Sequence, residues 1–397
     1  MKVSVAVVEP VGGHGGMNVY DSGLCRGLLS AGTQVSLYTC DETVDPEIQG
    51  LHFCTPYKKI FGRGNRWIRA LRYLIGTLSM AWSAVKSGET IIHFHVYEGA
   101  APELYNILLA KLFGRSVVLT VHDVESMAQP AAASHGRIRK IYRLADRFIV
   151  HNQISRRELI ERLGVDGMKI TVIPIGNYLE MTSNVPSSTE ARRALGIGET
   201  KKVILFFGQI KEVKGLDLLI EALSKVAIEV PEALLVIAGR PWRTDFSRYA
   251  MLIDSMGVRD RCLVHLEYVP DDRVSQYYAA ADVVVLPYRR IYQSGVILLA
   301  MGYGKAVIAS DLPGMSEIIV DGNNGYLFSE GSKDALSKTL VSVLQSDRER
   351  EEVGKRALKY VQQNHDWNQI GAKTNQLYQE LLSERDRRSA STVSRSM

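Results

Sequence analysis

At 397 residues the chain exceeds one ordinary hydrophobic core, so two domains are expected. Apolar content of 46% with charged content of 23% excludes wholesale disorder. A formal charge of +5 is too mild for a dedicated nucleic-acid binder.

The chain opens on Val3–Val8, an apolar β-branched strand, without the length or flanks of a signal peptide. The loop Pro10–Gly16 follows, then a helix through Leu28. The loop contains Gly13-x-Gly15-x-x-Asn18, which lacks the third glycine of a dinucleotide fingerprint, and this argues against a hydride-transfer enzyme. Further short strands are predicted at Val35–Tyr38, Ile91–Phe94, Val117–Val121, Arg147–Val150 and Ile170–Ile173. Helical stretches separate most of them, which implies a parallel sheet covered on both faces. Cys25, Cys40, Cys54 and Cys262 form no C-x-x-C pair and read as buried reduced thiols of a cytosolic protein.

Within that half, Tyr57–Lys86 interleaves Lys58, Lys59, Arg63, Arg66, Arg69 and Arg72 with Phe61, Trp67, Tyr73 and Trp82, and contains no acidic residue. Two readings stand: a helix packed on the sheet with a basic outer face, or an amphipathic helix for an anionic lipid surface. No uncharged apolar run is long enough to cross a bilayer. His93 and His95 end a strand with Glu98 nearby, and a lining for an acceptor pocket is preferred there over a metal site. Thr120-Val121-His122-Asp123 ends another strand, at the edge where open α/β sheets bind ligands, with Asp123 placed to orient the histidine ring. No D-x-D pair is present, so neither a metal nor another cofactor is expected.

Pro186–Thr200 changes character and reads as the end of an interdomain linker starting near Tyr178. The second half repeats the first, with strands at Val203–Gly208, Leu234–Ala238, Leu263–Leu266, Val283–Leu286, Ala306–Ala309 and Gly325–Phe328. Helices are predicted near Gly215–Val226, Asp272–Ala280, Gly295–Met301 and Lys333–Leu344. Lys214-Gly215 opens a helix just after a strand, where a lysine neutralises phosphate and a glycine admits close backbone approach. Gln293-Ser294-Gly295-Val296 opens another beside Arg289 and Arg290, with Ser294 a good N-cap. A last helix is predicted at 366–384, packing back on the first domain, with a disordered tail over 385–397.

Several segments together resemble the GT-B glycosyltransferases, most closely the retaining family-four group. They are Gly208–Gly215, Ala238-Gly239-Arg240, Tyr268-Val269-Pro270, Ala281–Pro287, Ala306–Ile318 and Asp321–Leu327. The resemblance implies two Rossmann-like parallel-sheet domains facing a central cleft, at 1–178 and 201–365 with a linker at 179–200. It implies a nucleotide-sugar donor held by Gly15, Gly16, Gln209, Lys214, Arg240, Val269, Arg289, Gln293, Ser294, Gly295 and Val296. His122 becomes the catalytic-side residue near the sugar, and His95, Glu98 and Asp123 become acceptor contacts. This chain departs from the family's E-x7-E glutamates, carrying Ile291 and Leu299, and has Gln209 at the usual phosphate arginine. A variant donor site is therefore expected, in which Arg289 or Arg290 restores the lost charge. The implied function is sugar transfer from a GDP- or UDP-sugar to a lipid-linked or polysaccharide acceptor, with retention. The expected location is cytoplasmic, peripheral at the inner face of the cell membrane through residues 57–86. A non-catalytic sugar-nucleotide-binding protein is the alternative.

Overall fold

A computed structural model of the chain describes residues 3–12, 16–62, 64–97, 101–124, 135–242 and 245–395. The chain divides into two compact units, Met1–Gly176 with His365–Met397, and Asn177–Asn364.

The first unit runs β1 (Ser4–Glu9), α1 (Gly16–Ser30), β2 (Gln34–Cys40), β3 (His52–Tyr57), α2 (Arg66–Lys86), β4 (Ile91–Val96), α3 (Ala101–Leu112), β5 (Ser116–Val121), α4 (His135–Leu144), β6 (Arg147–Val150), α5 (Gln153–Leu163) and β7 (Ile170–Val172). Its seven strands lie in the order β3-β2-β1-β4-β5-β6-β7, every pairing parallel. The inner strands β4 and β5 are buried along their whole length, as continuous apolar runs between two helical layers should be. β3 was not predicted. Its sequence HFCTPY lacks a clean alternation and holds Pro56, which a sheet tolerates at its edge, where β3 sits.

The second unit contains α6 (Ser188–Ala194), β8 (Lys202–Phe207), α7 (Leu216–Glu229), β9 (Ala233–Ala238), α8 (Ser247–Ser255), β10 (Cys262–His265), α9 (Asp271–Ala280), β11 (Val283–Leu286), α10 (Gly295–Gly302), β12 (Ala306–Ser310), α11 (Pro313–Ser316), β13 (Tyr326–Phe328), α12 (Lys333–Gln345) and α13 (Asp347–Asn364). Six parallel strands lie in the order β10-β9-β8-β11-β12-β13. The core joins β8, β9 and β11 to α7 and α12 through residues such as Phe206, Leu219, Leu223, Ile237 and Leu340.

Two expectations about boundaries change. The stretch read as linker holds α6, which starts on a capping box between Ser187 and Glu190 and is tied to the unit by Arg192 Nη2 donating to Asp282 at 2.8 Å. Its polar composition reflects an exposed helix start rather than a free connection. The last helix, α14 (Trp367–Arg395), continues through the expected tail, because residues 382–395 contain no glycine or proline to stop it. α14 packs on α1 within the first unit, where Gly27 and Gly371 let the backbones touch. A Cβ on Gly371 would fall 2.0 Å from the Gly27 carbonyl carbon.

In each sheet the strand order reverses once. Chain order turns back beside β1, between β2 and β4, and beside β8, between β9 and β11. In open α/β sheets such switch points, at the carboxyl ends of the strands, are where ligands bind.

Candidate active site

In the second unit the loops after β8 and β11 meet at the switch point. Gly215 takes a left-handed conformation (φ +66°), and a Cβ there would lie 1.9 Å from the Pro287 carbonyl oxygen. Only glycine allows that approach. The Arg289 N–H donates to the Val213 carbonyl at 2.8 Å and pins the two loops together. A methyl placed on Gly208 would sit 3.2 Å from Lys214 Nζ and 3.6 Å from the Val296 side chain. The lysine ammonium and the first turn of α10 are therefore neighbours across Gly208.

Lys214 Nζ lies 5.5 Å from the centre of the Tyr288 ring, and desolvation lowers its pKa to about 8. Ser294 occupies the N-cap of α10, but its hydroxyl does not close on the helix. The first-turn N–H groups at Gly295 and Val296 thus keep their capacity for an anion. Cation, helix start and close-approach glycines together form a cradle suited to phosphate oxygens.

Arg289 does not join it. Its guanidinium donates to both carboxylate oxygens of Asp217, at 2.8 and 2.7 Å, and to the Glu212 carbonyl at 3.1 Å. Its charge is neutralised inside the unit, contrary to the expected replacement role, because Asp217 in the first turn of α7 faces the same rim. Arg290 lies over Tyr292, with 5.8 Å to the ring centre. Gln209 and Arg240 are exposed at the ends of β8 and β9, Gln293 is half-buried before α10, and Val269 is buried after β10. Leu299 is buried and Ile291 half-buried. The sequence reading missed Tyr178, whose hydroxyl lies 2.6 Å from the position a Cβ on Gly295 would take and whose pKa burial raises to about 12. Nothing in its local sequence distinguishes it from any other buried tyrosine.

In the first unit, His122 follows β5 and is 5% exposed. Its ring stacks on Tyr97 at 4.7 Å and 7°, and Tyr20 meets it edge-on. Burial first, then the neighbouring histidines, hold its pKa well below the ordinary value, so the imidazole is neutral. Asp123 beside it is half-buried, and Gly16, the first residue of α1, is exposed. Gly15 and Glu98 lie outside the described residues.

His95 is not positioned as an acceptor contact. Its side chain is fully enclosed, and a recess that it lines has a volume of about 30 Å³, room for a water and not for a saccharide. β4 is buried on both faces, so both of its histidines point into packed layers. His93 is held between Tyr378 of α14 and Thr120, each at 2.7 Å. His95 Nδ1 lies 3.5 Å from both Glu9 Oε2 and Asp21 Oδ1. Burial raises the pKa of Glu9 to about 7 and that of Asp21 well above its usual value, while His95 is pushed well down. Glu9 was missed, although a signal existed: it is the one charged residue in the strand SVAVVE, directly before the glycine loop.

Among the described residues no group of three or more His, Cys, Asp or Glu is placed to hold a metal ion. A larger recess of about 560 Å³, lined by Arg139, Arg143, Arg162 and Lys169 among others, opens by the amino end of β7, the edge opposite the switch point.

Comparison with known proteins follows these elements. Residues 187–360 match the family described as glycosyl transferases group 1, and residues 14–178 match the one described as Glycosyltransferase Family 4. The chain is 28% identical over 363 residues to a D-inositol 3-phosphate glycosyltransferase of Xylanimonas cellulosilytica, covering 85% of each chain. It is 27% identical over 287 residues to a phosphatidyl-myo-inositol mannosyltransferase of Mycolicibacterium smegmatis, covering 72% of this chain and 70% of the relative. Among solved structures it resembles Alr3699/HepE of Anabaena in complex with UDP, with a TM-score of 0.75 at 18% identity, covering 96% of this chain and all of the other. Sucrose-phosphate synthase of Thermosynechococcus elongatus gives 0.76 at 19% identity, again over 96% and 100% of the two chains.

Proposed function

This chain belongs to the group 1 glycosyltransferases and has their GT-B fold of two parallel-sheet α/β units, and on that premise we propose that it moves a sugar from a UDP- or GDP-sugar to a lipid-linked acceptor, with retention, in surface polysaccharide or glycolipid synthesis. The observation that carries the reading is the adjacency of Lys214 and the α10 start across Gly208. Breaking a sugar–diphosphate bond leaves negative charge on the departing phosphate, and a fixed ammonium beside aligned N–H groups stabilises it. No metal is invoked in that contact. His122 offers a neutral imidazole to the sugar or the incoming hydroxyl. Gln293 and Tyr178 flank α10 where the family glutamates are replaced by Ile291 and Leu299, and they supply the polar contacts to the sugar. The HepE neighbour was crystallised with UDP and the mycobacterial relative is named for a lipid acceptor, which supports the same donor and acceptor classes here.

The lipid acceptor and a location at a membrane surface draw support from α2. It turns Trp67, Ile68, Leu71, Ile75, Leu78 and Trp82 outward, and packs Gly76, Thr77, Met80, Ala81 and Ala84 inward. The outer face is thus apolar and not merely basic, with Lys58, Lys59, Arg66 and Arg72 at its margins. No helix among the described residues is long and apolar enough to cross a membrane.

The test is a thermal-shift panel of UDP, GDP, ADP and their sugars, followed by hydrolysis of the best sugar nucleotide. Stabilisation by one nucleotide with turnover of its sugar is expected. Absence of any shift, or an equal shift in Lys214→Ala, would overturn the reading.

A further inference from the structure

Glu9 ends β1 with its side chain enclosed, and both of its oxygens are engaged. Oε1 accepts the Val11 N–H at 2.8 Å, and Oε2 accepts the Tyr97 hydroxyl at 2.9 Å. Val11 begins the glycine-rich loop, and the Tyr97 ring lies flat against His122. We propose that Glu9 is a positioning residue for sugar transfer, its carboxylate holding the start of the glycine loop and, through Tyr97, the ring of His122 in one arrangement. The inference rests on the transferase reading for its meaning, but the geometry stands independently of it.

The charge state matters to that geometry. An ionised carboxylate accepts on both oxygens, whereas a protonated one must place its own hydrogen. The nearest acceptor for that hydrogen is the Tyr97 oxygen itself, 2.9 Å away, whose own hydrogen then passes to Met17 Sδ, also at 2.9 Å, so protonation reverses the bond and removes the charge at its end. The titratable groups facing Glu9 are Asp21 of α1, His95 of β4, Tyr97 just after β4, Glu103 of α3, Tyr73 of α2 and Tyr57 of β3. Desolvation dominates and leaves the pKa at about 7, against 4.5 for an ordinary glutamate. Acidification below neutrality is therefore expected to reverse the bond that orients Tyr97 and so to change the surroundings of the His122 ring stacked on it. The contribution of Glu9 to folding stability runs the other way. A raised folded pKa means that stability is gained as pH falls from about 7 toward 4.5, so this change is not acid unfolding.

The experiment uses full-length protein with [13C]histidine, the His122 signal being assigned with His122→Gln. In wild type the His122 resonance is expected to move with a midpoint near pH 7, although His122 itself stays neutral. In Glu9→Gln that movement disappears, because the amide does not titrate. Its carbonyl still accepts from Val11, and its NH2 donates to the Tyr97 oxygen, which fixes the reversed, uncharged form of that bond at every pH. Turnover of UDP-glucose or GDP-mannose, whichever binds, is expected to lose kcat on the order of tenfold in Glu9→Gln with KM unchanged, and to lose its acid limb. Tyr97→Phe keeps the titration of Glu9 but is expected to shrink the His122 movement by more than half. A movement that persists in Glu9→Gln, or one unaltered in Tyr97→Phe, overturns the proposal even if the protein turns over sugar nucleotides. Conversely, a wild type that turns over neither sugar nucleotide counts against the transferase assignment and leaves the Glu9–His122 coupling to be judged on the resonances.

Discussion

Lys214 shows how one side chain's surroundings set its behaviour. Desolvation favours the neutral amine, so the pKa falls from 10.5 to about 8. Between those values the unfolded chain holds more protons, and this group's contribution to stability rises with pH. Binding of a diphosphate responds in the opposite sense, since it needs the cation. UDP or GDP affinity, read by calorimetry, is expected to fall by about tenfold as pH rises from 7 to 9. Lys214→Arg should flatten that dependence, because guanidinium stays charged throughout. Lys214→Ala should weaken binding at pH 7 by roughly 10- to 100-fold, the worth of one charge-assisted hydrogen bond. Arg289 provides the contrast. Its partly exposed bidentate pair with Asp217 joins the loop after β11 to α7. Arg289→Ala should cost about 1 kcal/mol or less in denaturant unfolding and change nucleotide affinity much less than Lys214→Ala does. The place of Lys214-Gly215 before a helix start was readable from residue type and position after a strand. The fate of Arg289 was not, because its partner lies 72 positions away.

At the scale of single elements, α2 is the most informative. A helix of a soluble unit normally turns its large apolar residues inward. Here Trp67, Ile68, Leu71, Ile75, Leu78 and Trp82 face out while Gly76, Thr77, Met80, Ala81 and Ala84 face in, which fits a partner that is itself apolar. Vesicle co-sedimentation should show binding to bilayers containing anionic lipid, weak binding to neutral ones, and loss of affinity by at least about tenfold in Trp67→Ser/Trp82→Ser, since each buried indole contributes on the order of 1.5–3 kcal/mol. Equal binding to neutral vesicles, or none to either, would contradict the lipid reading. The sequence marked this helix by its cations and aromatics. Periodicity alone cannot say which side of an amphipathic helix the sheet will cover; packing shows that the covered side is that of Gly76, Thr77, Met80, Ala81 and Ala84. The same limit explains His95: alternation along IIHFHV placed both histidines on one face of β4, but only the layer above it revealed that the face is closed.

Across the whole chain, the first unit is completed by its last helix. Trp367 packs edge-on to Tyr20 and fills the space over Gly23 and Gly176, while Asn375 and Tyr378 reach Thr33 and His93. Trp367→Ala should destabilise the first unit by about 3–5 kcal/mol, seen as an earlier transition in calorimetry, with the transition of the second unit unmoved. Most strand and helix positions, the doubling of the α/β pattern and the turns that open α7 and α10 were legible in the amino-acid sequence, because each is written in spacings of two to eight residues. The tertiary structure alone decided that Glu9, Asp21 and His95 share one buried cluster, that Arg289 is occupied, and that α2 faces outward. Those outcomes depend on desolvation and on partners brought together from distant stretches of chain, as with His93 and Tyr378, 285 positions apart, and no local pattern encodes them.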